Sequence, residues 1–190
     1  MPAKNLFAVL HYLKNLIQLI LSPHRAWAEI AEEDVAPSRL LERGLYPLLA
    51  IVAVTAFCHG FYGSAPFEIG KALEAALAQF VALFLSVLIG RALLEVAIPV
   101  LSSEKVPMPR LATVPAYTTG ILALINIIGN VCPIELSILW LLPLLLTVVL
   151  WQGADYLSIS NDKRGQYIIF AIAVLIAIPV FFNFIFGLFI

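Results

Sequence analysis

The chain has 190 residues, 62% of them hydrophobic and 12% charged, with a net charge of −1 and a mean hydropathy of +1.01. Soluble domains carry about 25% charged residues, so the composition excludes a water-soluble fold and points to one compact membrane bundle. The basic residues interleave with acids and form no stripe, which excludes a nucleic-acid surface.

Residues 4–21 carry an α-helical pattern. Lys4, His11, Lys14, Asn15 and Gln18 fall on one stripe, and Leu6, Val9, Leu10, Leu13, Leu16, Ile17 and Ile20 cover the rest. Such a helix suits the cytoplasmic lipid interface, where lysines meet anionic headgroups. The alternative is packing against the end of the bundle. Polar residues interrupt the apolar run, so it does not read as a signal peptide. Ser22-Pro23 then starts a second helix, His24–Glu33, with Ser22 as N-cap and proline at the first helical position. Its end is acidic, read as a solvated face, and Trp27 is expected to anchor at the membrane interface.

Five apolar spans follow, at Leu45–Gly63, Ala72–Gly90, Leu111–Gly129, Leu136–Trp151 and Tyr167–Ile190. Each approaches or exceeds the roughly 20 residues needed to cross ~30 Å of hydrocarbon. The expected fold is all-α: a polytopic bundle of five transmembrane helices (residues 44–190) behind an interfacial amphipathic segment (residues 1–43). Of 11 Lys and Arg residues, nine lie on the N-terminal side, Lys71 lies opposite and Arg91 lies inside the second span. The positive-inside rule then places the N-terminus in the cytoplasm and the C-terminus outside.

In the second span, Ala72, Ala75, Gln79, Ala82, Ser86 and Gly90 recur at spacings of three and four, a small-residue face for close helix packing. Pro107 and Pro109 keep the connection 101–110 from being helical throughout. The segment 153–166 reads as a turn-rich cytoplasmic loop.

Three groups of polar residues are candidates for chemistry. Arg91 and Glu95, at i,i+4, can bridge along one helix face. They sit at the cytoplasmic interface, or form a buried transport site. Cys58, His59, Gln79, Asn126, Asn130 and Asn183 fall in the outer half of the bundle, where they line a polar cavity or act as interhelical hydrogen-bond glue. Asp155, Lys163 and Arg164 are the only candidates for a lipid-modifying site. Adjacent Cys58 and His59 point to different helix faces, so with Cys132 they make a poor metal set. The two cysteines are read as thiols, with a single bond between them the alternative. No His-Glu-x-x-His, Gly-x-Ser-x-Gly, Walker A, Gly-x-Gly-x-x-Gly or Cys-x-x-Cys motif is present. No catalytic residue, metal or cofactor is assigned.

Residues 21–30, Leu-Ser-Pro-His-Arg-Ala-Trp-Ala-Glu-Ile, precede the first span. They resemble the Pro…Ala-Trp…Ile segment of bacterial members of the Yip1 family. Val114-Pro115-Ala116-Tyr117, opening the third span, and Trp151-Gln152-Gly153, ending the fourth, are similar to the same family. The resemblance implies a five-span bundle with a cytoplasmic N-terminus, in the bacterial cytoplasmic membrane. Eukaryotic relatives are associated with Rab GTPases, but their Asp-Leu-Tyr-Gly-Pro type motif has no counterpart in residues 1–43. GTPase binding is therefore not carried over. The functional expectation is a non-enzymatic scaffold or accessory subunit whose partners are membrane lipid, another membrane protein or a second copy of the chain. A small transporter or channel is the alternative.

Overall fold

The computed structural model describes residues 2–33, 35–62, 66–132 and 142–189. They form eight α-helices: α1 (Pro2–Leu21), α2 (Pro23–Glu33), α3 (Pro37–Leu40), α4 (Tyr46–His59), α5 (Ile69–Leu101), α6 (Met108–Val131), α7 (Leu142–Tyr156) and α8 (Arg164–Phe189). A π-helical turn, Leu41–Leu45, joins α3 to α4 without a break. The helix therefore runs straight through the boundary expected after residue 43.

Four helical runs are long and apolar enough to cross a membrane: Pro37–His59, Ile69–Leu101, Met108–Val131 and Asn161–Phe186. The expected fourth span, Leu136–Trp151, lies partly outside the described residues. Its described helix, α7, has 15 residues, or about 22 Å of rise.

α5 lies against α4, α6 and α8, and α7 packs on α2 and α8. The small-residue face of α5 is used in this packing. Ala72, Ala82 and Ser86 are buried, and a Cβ on Gly90 would meet Leu175 of α8 at 3.1 Å. Helix α6 is the centre of the molecule, with every residue from Leu111 to Ala123 buried.

One end of the bundle, the near end, is closed by a polar turn. Ser103 N–H donates to the carbonyl of Ser158 at 3.0 Å, the Ser102 hydroxyl reaches the same oxygen, and Ser102 pairs with Ile159 as a single antiparallel bridge. Lys163 Nζ donates to Val100 O at 2.9 Å, placing a cation on the C-terminal carbonyls of α5. The start of α8, the end of α5, the start of α6 and the end of α7 thus meet here. The ends of α4 and α6 meet at the opposite, far end. Between Cys132 and Tyr156 the chain travels from far end to near end. The segment expected as a loop, residues 153–166, is largely helical: α7 continues to Tyr156 and α8 begins at Arg164.

Helices α1–α3 wrap the near half of α6. A Cβ on Gly120 would collide with the hydroxyl of Tyr12 and with Leu16 Cδ2 at 2.8 Å, and one on Gly44 would meet the Tyr12 ring at 2.7 Å. Only glycine lets α1 come this close. The N-terminal helices and the bundle consequently share one core, which includes Tyr12, Leu16, Trp27, Ile30, Leu45 and Ile121.

Candidate functional site

The near end holds a buried polar and aromatic seam. Tyr12 donates to Ala116 O at 2.8 Å and stacks on Tyr117 at 5.2 Å. The Asn15 amide donates to Tyr117 Oη at 3.1 Å and to Glu33 Oε2 at 3.3 Å. His11 Nε2 lies 2.9 Å from the same carboxylate oxygen. Three helices are thereby tied together: α1 by His11, Tyr12 and Asn15, α2 by Glu33 and α6 by Tyr117. Burial, and then the neighbouring Tyr117, pushes the Tyr12 hydroxyl well above its ordinary value of 10.0. At the surface of the same layer, a hydrogen bond from Gln18 and then Arg25 lower the Glu29 carboxyl.

Trp27 completes the seam. Its indole N–H donates to Val149 O at 2.9 Å, and its ring stacks on Tyr156 at 5.1 Å and meets Tyr117 edge-on at 6.2 Å. The expectation of an interfacial anchor is corrected here. Trp27 is 3% exposed, because Gly153 of α7 opens a slot in which a Cβ would lie 3.0 Å from the ring. Asn15, expected on the polar stripe of α1, is likewise buried at 2%, since Glu33 and Tyr117 satisfy its amide. The guanidinium of Arg110 lies 5.3 Å from the Tyr156 ring centroid, closing the edge of the seam.

The outer polar cluster is brought together only in part. Gln79 and Asn130 exchange amide hydrogen bonds, at 3.2 Å and 2.9 Å. Asn130 also donates to Thr55 Oγ1 at 3.3 Å, and His59 Nδ1 lies 3.0 Å from Asn130 O. This arrangement joins α4, α5 and α6. Asn126 is elsewhere engaged, donating to Leu122 O of its own helix at 2.8 Å. The side chain of Asn183 lies outside the described residues. Cys58 and Cys132 are half-buried free thiols.

Arg91 and Glu95 form the expected pair at 2.6 Å, with side chains 44% and 28% exposed. They lie at the surface of the helix bundle. Arg164 pairs with Asp155, while Lys163 caps α5, so these three side chains brace the turn between α7 and α8. Among the described residues no group of three His, Cys, Asp or Glu side chains converges as metal ligands would.

Sequence reading missed the seam because its members are scattered over α1, α2, α6 and α7. One signal was present: Asn15 and Tyr12 interrupt an otherwise apolar face of α1. Comparison with family models, with curated proteins and with solved structures gave no match.

Proposed function

We propose that the chain is a five-pass membrane protein of the Yip1 type, with its N-terminus in the cytoplasm of a bacterial cell and its C-terminus outside. On this reading the protein is a non-enzymatic scaffold that organises lipid or a membrane partner. The charge asymmetry along the sequence supports the orientation. The passage from far end to near end between Cys132 and Tyr156 supports the fifth crossing.

Membrane depth follows from one level line. A Cβ on Gly90 would lie 3.7 Å from Pro115, so Arg91 stands level with Ala116, the residue that accepts from Tyr12. Arg91 is about 30 Å from Lys71 along α5, one hydrocarbon thickness. On this reading the seam sits at the cytoplasmic interface, and α1 runs beside it.

One observation carries the scaffold reading. The seam fixes α1 firmly while its opposite face presents Phe7, Leu10, Ile17 and Leu21 at 71%, 53%, 52% and 77% exposure. A rigid interfacial helix with an uncovered apolar face suits a lipid surface or a partner helix. Against transport, Gln79 and Asn130 satisfy each other, and Arg91 and Glu95 pair on the outer surface.

Affinity purification of the tagged chain from native membranes in mild detergent, followed by mass spectrometry, tests this reading. A stoichiometric membrane partner, or a self-associated chain carrying lipid, supports a scaffold. Solute exchange by the purified protein in liposomes would replace it with transport.

A further inference from the structure

We propose that a cavity between α1 and the α3–α4 junction binds the phosphate of an anionic membrane lipid. The proposal deepens the scaffold reading and rests on its membrane placement. The cavity has a volume of about 140 Å³ and is lined by His11 and Tyr12 of α1, Arg39 and Leu40 of α3, Arg43 of the π turn, and Tyr117. A water occupies ~30 Å³ of liquid, so the space suits a larger group.

Its charge selects an anion. Arg39 and Arg43 are four residues apart and both exposed. Among the described residues neither side chain takes part in an ion pair or hydrogen bond. The neighbouring carboxylate of Glu33 is engaged by His11 and Asn15 and lines a separate small cavity beside Arg110. Glu42 is exposed on the same turn as Arg43. Two guanidinium groups thus stand without a partner among the described residues where the hydrophobic part of α4 begins, and guanidinium forks match phosphate oxygens bidentately. Basic pockets between helices at the cytoplasmic surface suit phosphate headgroups.

A lipid fits better than free phosphate because the cavity adjoins apolar surface. The apolar face of α1 turns away from the cavity's α1 wall, and its Phe7, next to Ala8 of that wall, is 71% exposed, giving an acyl chain apolar surface on the same helix as the headgroup site. On the proposed membrane placement, the level line through Arg91 corresponds to phosphate depth.

The test uses the full chain in detergent doped with phosphatidylglycerol or with phosphatidylcholine of the same acyl chains, read by native mass spectrometry. One phosphatidylglycerol is expected to stay bound in preference to phosphatidylcholine. Arg39→Gln with Arg43→Gln is expected to weaken retention roughly thirtyfold, and Arg43→Gln alone about fivefold, which covers the case of a double variant that does not fold. Arg25→Gln with Lys105→Gln removes the same charge from the same side and is expected to leave retention unchanged. Equal retention of both lipids, or equal loss in that control, overturns the site. Displacement by millimolar inorganic phosphate overturns the lipid assignment in favour of a free anion. A negative result leaves the scaffold reading standing, because partner co-purification reads that separately.

Discussion

Replacing Trp27 by alanine tests how the N-terminal layer is held. The indole is 3% exposed, stacks on Tyr156, meets Tyr117 edge-on and donates to Val149 O. Large-to-small changes of a buried tryptophan cost about 3–5 kcal/mol. Each aromatic pair contributes about 0.5–1.5 kcal/mol beyond its buried area, and the hydrogen bond about 1 kcal/mol, so the upper part of that range is expected. Since Trp27 packs α2 against both α6 and α7, the loss should fall on docking of the layer. A cost of 3–5 kcal/mol raises the undocked population by about 10²–10⁴-fold. Limited trypsinolysis at Lys14 and Arg25 reads that population directly when reclosing outpaces cleavage. Trp27→Phe keeps the ring stacking and loses the donor, so a rise of about fivefold to tenfold is expected. If Trp27→Ala changes cleavage less than tenfold, the ring is held by lipid headgroups and the seam does not fasten the layer.

Five further outcomes follow from the same contacts. Gly120→Ala forces a methyl group against Tyr12 and Leu16 and should destabilise by about 1–3 kcal/mol. Gly129→Ala has nothing within 4 Å and should be neutral or slightly stabilising in thermal unfolding. Gln79→Leu or Asn130→Leu alone leaves the partner amide unsatisfied and should cost about 1–3 kcal/mol; the double variant should cost less than the sum, measured as a cycle. The ordinary tyrosine value is 10.0 and that of folded Tyr12 is well above it. The folded state therefore holds the proton longer than the unfolded state, so stability is full below about pH 10 and falls as pH rises further. A pH series of unfolding midpoints checks this, with Tyr12→Phe expected to reduce the alkaline loss. Conversely, Glu29 is lowered from 4.5, so its contribution is present above that pH and is lost as pH falls through the folded value; Glu29→Gln should flatten the acid limb.

The helices were legible because apolar length and periodicity act locally. The α5 face of Ala72, Ala82, Ser86 and Gly90 could be read at spacings of three and four, and it packs as read. The Arg91–Glu95 pair was legible for the same reason, since i,i+4 geometry needs one helix only. Trp27 was misread because a tryptophan beside a charged helix fits an interface and a slot equally well. What distinguishes them is Gly153, 126 positions further along the chain, whose missing side chain opens the slot. Asn15 was misplaced by a similar ambiguity: it borders both the polar flank and the buried face of α1, and only Tyr117 and Glu33 decide between them. In the outer cluster, Asn126 and Asn130 share a helix face, yet one bonds within α6 and the other reaches Gln79. That difference depends on how far α5 approaches, which composition does not encode.

Placing a reporter at each terminus, active only in the cytoplasm or only outside it, tests the central claim most directly, because five crossings with the seam on the cytoplasmic side require the ends to differ. The account expects a cytoplasmic signal from the N-terminal fusion and an external signal from the C-terminal fusion. Both termini on the same side would mean four crossings, with the segment ending in α7 failing to span, and would contradict the placement on which the scaffold and lipid site depend.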